Sequence, residues 1–166
     1  MPESPAPNIA IRPATPLDVP HILAFICELA DYERLSHEVV ATEELLAASL
    51  FGHRPEAEVL MACADDAPVG FALFFANYST FQARSGLYLE DLYVRPAFRG
   101  LGLGKRLLIE VARLAVARGC GRYEWSVLDW NERALGVYQK IGARPMNEWT
   151  VQRLTGAALR DLASSA

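Results

Sequence analysis

No apolar run in the 166 residues approaches the roughly 20 that a membrane-spanning helix requires. The opening MPESPAPN has neither a basic start nor a hydrophobic stretch, which predicts no secretory leader and a frayed tail over residues 1–8. Cysteine is scarce. Cys27, Cys63 and Cys120 are odd in number and show no paired spacing, so they read as reduced thiols of a cytoplasmic protein. His21, His37 and His53 are scattered, and no metal is expected. Basic clusters are also absent, and the net charge is −4, which disfavours nucleic acid or an anionic membrane as partner. An acidic chain suits a cationic ligand, although solubility alone accounts for the charge equally well.

What is present is enough for a full core. Apolar residues make up 52% of the chain, and one domain of this length buries about 70% of its unfolded surface. Residues 8–12 spell a short strand stopped by Pro13. Thr15 and Pro16 open a helix as N-cap and first helical residue, with Val19, Ile22, Leu23, Ile26 and Leu29 on one face. Residues 42–52 form a second helix. Strands at 59–64 and 69–76 are joined by a turn over 65–68, and 77–86 is a loop or a bulged continuation. Further strands are expected at 87–94, 122–128 and 149–154, interleaved with helices from Gly102 and over 131–141; a short helix at 156–163 ends the chain. Consecutive strands followed by alternating units predict an α/β fold, a mixed and mainly antiparallel sheet with helices on both faces.

The most informative stretch joins the strand at 87–94 to the next helix: Arg99, Gly100, Leu101, Gly102, Leu103, Gly104, Lys105. Glycines at a helix start let backbone N–H groups turn toward an anion at the positive end of the helix dipole, and the flanking Arg99 and Lys105 add charge. The loop is not a P-loop, because Gly104 and Lys105 are followed by Arg106 and position 99 is not glycine. A dinucleotide fingerprint fails at Lys105, where glycine or alanine is required. The pattern that fits is Arg-x-x-Gly-x-Gly.

That pattern resembles the pyrophosphate loop of the GNAT superfamily of N-acetyltransferases. With YLEDLYVRPAFRGLGLGKRLL, LDWNERALGVYQKIGA and IRPATPLDVPHILAFICELADYE, the chain resembles in particular the diamine and thialysine acetyltransferase subfamily. The resemblance implies one N-acetyltransferase domain over 9–166, a splayed strand pair holding acetyl-CoA, and a homodimer. It also implies site residues. Leu92, Tyr93 and Val94 would pair with the pantetheine arm through their backbone, and residues 100–105 would cradle the pyrophosphate. Asn131 and Ala134 would touch the cofactor and Tyr138 would stand at its sulfur as proton donor. Tyr32, Glu33, Glu90 and Asp91 would line the amine site, with Glu90 as a candidate base.

Each of these residues also has a structural reading. Asn131 is a strong helix N-cap, Tyr138 a core aromatic, and Glu90 and Asp91 acceptors for backbone N–H groups. Adjacent strand residues point to opposite faces, so Glu90 and Asp91 share a pocket only across a bulge. Polyamine-specific members carry an acid and a tryptophan in the segment that reads YSTFQAR here, which lacks both, so a shorter amine such as thialysine or an ornithine- or lysine-like compound stands beside the polyamines. The expectation is direct acetyl transfer to a small primary amine in a ternary complex. A protein N-terminus or lysine as acceptor, or an acyl-CoA-binding module without turnover, are the alternatives.

Overall fold

The structure, a computed structural model, describes residues 7–165. The chain divides into two compact units, one ending at Ser126 and one beginning at Val127. The first holds a five-stranded sheet in the order β1-β2-β3-β4-β5. Most of the tail expected over 1–8 lies outside the described residues. Asn8 is already anchored, its N–H donating to Asp65 Oδ1 at 2.9 Å.

β1 (Ile9–Pro13) leads through a single turn of 3-10 helix into α1 (Val19–Tyr32). Asp18 locks this entry. Its buried carboxylate accepts the Thr15 N–H at 2.7 Å and both Arg12 guanidinium nitrogens at 2.7 and 2.8 Å. The guanidinium holds the Asp18 pKa down at about 2. α2 (Glu43–Phe51) starts at Thr42, whose hydroxyl accepts the Leu45 N–H. β2 (Glu58–Ala64) and β3 (Ala67–Ser79) are antiparallel and joined by Asp65 and Asp66, both at positive φ, a tighter turn than 65–68. β3 runs on through the polar segment and turns at residues 80–83 into β4 (Arg84–Val94), so that segment is a hairpin.

Period-two alternation divides the core. Val59, Met61 and Cys63 of β2, with Phe71 and Tyr93, pack on Val19, Ile22 and Phe25 of α1 and Leu46 and Leu50 of α2. The alternate residues Leu60, Ala62 and Ala72 face the other side, where α3 (Leu103–Ala117) buries Leu103, Leu107, Leu108, Val111 and Ala115. Helices on both faces of a mainly antiparallel sheet are what the element order predicts. Gly119, at φ +69, stops α3.

β5 is shorter than expected, covering only Tyr123–Trp125 and pairing parallel with β4 over Leu87 to Leu89. The second unit holds α4 (Glu132–Lys140) and α5 (Gly156–Ser164). The strand expected at 149–154 does not form: Asn147 and Glu148 turn, and the following residues carry no ladder. Apolar alternation alone does not make a strand, because each N–H and C=O also needs a partner across a ladder. Trp149 and Val151, at 72% and 81% exposure, lack the buried face that would favour one.

Candidate functional site

The site is built around one irregularity in β4. Leu89 pairs with Phe74 and Asp91 with Leu73, so Glu90 is an extra residue with no partner of its own on β3. This bulge changes the parity of the strand. Leu92 pairs with Ala72 and Leu89 with Phe74, all on the α3 side, and the two residues between them are left for the α1 side. Adjacent carboxylates can therefore share a face, the condition that regular pleating forbids.

Asp91 reaches a cavity of about 320 Å³ between α1 and the segment before α2. Ile26, Leu29 and Ala30 of α1 make one wall, Leu35 and residues 39–41 another, and Glu33 stands in it with Asp91. Burial raises the Asp91 pKa to about 6, and the neighbouring negative charges of Glu90 and Glu33 add to the rise. Burial also pushes the Glu33 carboxyl up. Two carboxylates held partly dry among aliphatic side chains favour a cation as occupant, because its charge relieves both desolvation and mutual repulsion. Glu90 is exposed beside this cavity. Tyr32 is not among the lining residues; its ring lies under the Arg99 guanidinium, 5.3 Å from centroid to carbon. Glu38 and the wall at 39–41 were passed over by sequence reasoning. The available signal was the apolar run VVA between two helices.

The other half of the site lies along the opposite edge of β4. Pairing with β5 stops at Leu89 while β4 continues to Val94, so the backbone edge is open from Glu90 onward. Tyr93 is buried and Leu92 half-buried along this edge. The Val94 carbonyl accepts Arg99 Nε at 2.9 Å. Beyond Arg99, Gly100 and Gly102 take φ +86 and +75, as glycine allows. The first helical bond of α3 runs from Arg106 N–H to Gly102 carbonyl, 3.0 Å, so the N–H groups of Leu103, Gly104 and Lys105 precede any intrahelical acceptor. A Cβ placed on Gly100, Gly102 or Gly104 would meet no protein atom within 4 Å. The backbone there is open to a ligand. Leu101 and Lys105 are exposed, and Leu103 is core, so Leu103 contributes only its N–H. Donors, positive dipole and an unpaired strand edge fit the diphosphate and amide-bearing arm of acetyl-CoA.

Asn131, Ala134 and Tyr138 belong to the second unit. Asn131 Oδ1 accepts the Ala134 N–H at 3.2 Å, so the capping role is real and leaves the Asn131 amide nitrogen for a second partner. Tyr138 lies two turns on, half-buried, and burial raises its phenol pKa. Among the described residues no cluster of His, Cys, Asp and Glu is placed to hold a metal, and no helix is long and apolar enough to cross a membrane.

Comparison with known proteins shows the family and the fold. The acetyltransferase (GNAT) family matches residues 24–143. A thialysine N-epsilon-acetyltransferase from Bos taurus is 40% identical, the match covering 93% of this chain and 97% of that protein. An L-ornithine N5-acetyltransferase from Arabidopsis thaliana is 37% identical over 90% of this chain and 86% of its own length. Among solved structures, an integron cassette protein from the mobile metagenome of V. cholerae superposes with a TM-score of 0.79 at 26% identity, covering 95% of this chain and 98% of that one.

Proposed function

The chain belongs to the GNAT family of acetyltransferases, and from that premise we propose that it carries the acetyl group of acetyl-CoA to a small primary amine within one ternary complex. The observation that carries this reading is the bulge at Glu90. It aims Asp91 into an apolar, acidic cavity while the same strand leaves its other edge open beside the glycine loop. The family match spans both units, which supports one N-acetyltransferase domain over 9–166.

Acetyl-CoA supplies the acyl group and a thiolate leaving group. Backbone groups of Leu92 and Tyr93 bind its amides and residues 100–105 its diphosphate. Glu33 and Asp91 hold the ammonium of the acceptor, with exposed Glu90 at the edge of the same face. An ammonium cannot attack, so one proton must leave first. Asp91 is the better base, because at a pKa of about 6 it is ionised at neutral pH yet accepts a proton more readily than an ordinary carboxylate. The proposed base is thus Asp91 rather than Glu90, the candidate in the sequence. Tyr138, its phenol held protonated by burial, is the acid that protonates the departing sulfur. Asn131 and Ala134 contact the cofactor at the start of α4. Thialysine- and ornithine-like amines head the acceptors, in line with the relatives; the subfamily resemblance carries a homodimer with it, and the unpaired cysteines favour a cytoplasmic location.

Thiol release from acetyl-CoA with a panel of diamines, amino-acid amines, polyamines and peptides tests the reading. Turnover with small amines and none with peptides is expected. Turnover with peptides alone would move the acceptor to protein, and tight acyl-CoA binding without turnover would make the chain a binding module.

A further inference from the structure

We propose that Arg99 is a positioning residue for the acceptor cavity, holding the last turn of α1 against the end of β4 so that Glu33 faces Asp91. The inference rests on the reading of that cavity as the amine site. An arginine at the first position of the glycine motif is expected to add charge for a diphosphate. Here its guanidinium is already engaged. Arg99 Nε donates to the Val94 carbonyl at 2.9 Å, and its central carbon lies 5.3 Å from the Tyr32 ring centroid and 5.7 Å from that of Tyr93. Both rings lie within the ~6 Å reach of a cation–π contact.

The contact is one rung of two. Glu28 and Tyr32 are one turn apart on α1 and so share a face, and Arg95 and Arg99 meet them in the same order. Arg95 binds Glu28 through Nε at 3.2 Å and through a terminal nitrogen at 2.8 Å, and its guanidinium lies over the Phe25 ring at 4.9 Å. Arg95, and Tyr93 after it, hold the Glu28 carboxyl below its ordinary pKa. The Arg95 rung fixes the middle of α1. The Arg99 rung fixes its last residue, directly before Glu33. The terminal turn also carries backbone bonds such as Glu33 N–H to Leu29 carbonyl, 2.9 Å, but helix ends fray, and the Arg99 contact adds a tertiary hold. Arg99 also precedes Gly100, so one side chain joins the end of the acceptor cavity to the start of the anion loop.

Lysine keeps the charge at position 99 but cannot donate in a fork and stack at once, so Arg99→Lys separates positioning from phosphate attraction. With an amine that the wild type acetylates, Arg99→Lys and Arg99→Gln are expected to raise the amine KM about tenfold, the scale of a partly desolvated cation–π and charged hydrogen bond. Acetyl-CoA affinity by calorimetry stays within about threefold. The low-pH limb of kcat/KM moves to lower pH as the Glu33 charge recedes from Asp91, a change that mere loss of stability would not produce. Tyr32→Leu reproduces Arg99→Lys, and the double variant is no worse than either single one. A normal amine KM in Arg99→Lys, or a loss confined to acetyl-CoA affinity, overturns the proposal. Glu33→Gln run alongside shows where a failure lies. If it too leaves amine kinetics unchanged, the amine-site reading falls and the proposal with it; if it impairs them while Arg99→Lys does not, only the proposal falls.

Discussion

Strand β4 changes character at Glu90, and its two halves compare instructively. From Leu87 to Leu89 it is flanked by β3 and β5, and both leucines are buried on the α3 side. From Asp91 to Val94 it has β3 alone, with Asp91 turned into the cavity and the other edge left open. One half is closed along both edges; the other keeps one edge open. The boundary is a single inserted residue. A bulge costs a ladder position, and what it yields here is an acid on the face that regular pleating would give to the α3 core.

The contrast can be broken from either side. The largest expected effect is on stability, from the paired half. Leu89→Ala opens a cavity where the side chain is 2% exposed and should cost about 2–5 kcal/mol in urea unfolding. Turnover per folded molecule should hold; a proportional loss of turnover would mean that the two halves are not separate. Next comes the acid proposed on α4. Tyr138→Phe removes only the hydroxyl and should lower kcat by roughly 10²-fold with acetyl-CoA affinity unchanged. The deficit should shrink for a donor with a more acidic thiol. A variant with normal kcat would return Tyr138 to a packing role. The smallest effect sharpens the open edge. Gly104 lies in the helix with space around it, so Gly104→Val carries no positive-φ strain of the kind that Gly102, at +75, would impose. It should weaken acetyl-CoA at least about tenfold, some 1.4 kcal/mol, at unchanged melting temperature. Unaltered affinity would place the diphosphate elsewhere.

Much of this was readable from residues alone, and the parts that were share a cause. The glycine loop and the Asn131 cap are local signals, decided within a few residues of the chain. The bulge is not local. Its existence depends on which β3 residue stands opposite Leu89, and nothing in LYLEDLYV says that Glu90 is the residue without a partner. The sequence could state that Glu90 and Asp91 shared a face only across a bulge, but not that the bulge was there. The same holds for the cavity. Glu33 and Asp91 meet through packing of α1 on β4, while Tyr32, their neighbour in the expected amine site, is taken up by Arg99. The strand expected at 149–154 failed for the complementary reason, since its alternation was visible and the missing ladder was not.

In the proposed function, the bulge makes Asp91 a base with a raised pKa in the amine site. The direct measurement is the pH dependence of kcat/KM for the best amine, in wild type and in Asp91→Asn. A base works ionised, so activity should rise with pH through a limb centred near 6, where burial and the Glu33 and Glu90 charges hold the group. Asp91→Asn should lose about 10²-fold at neutral pH and lose that limb with it. The same limb surviving in Asp91→Asn, or a wild-type profile flat between about 5 and 7, would contradict the assignment.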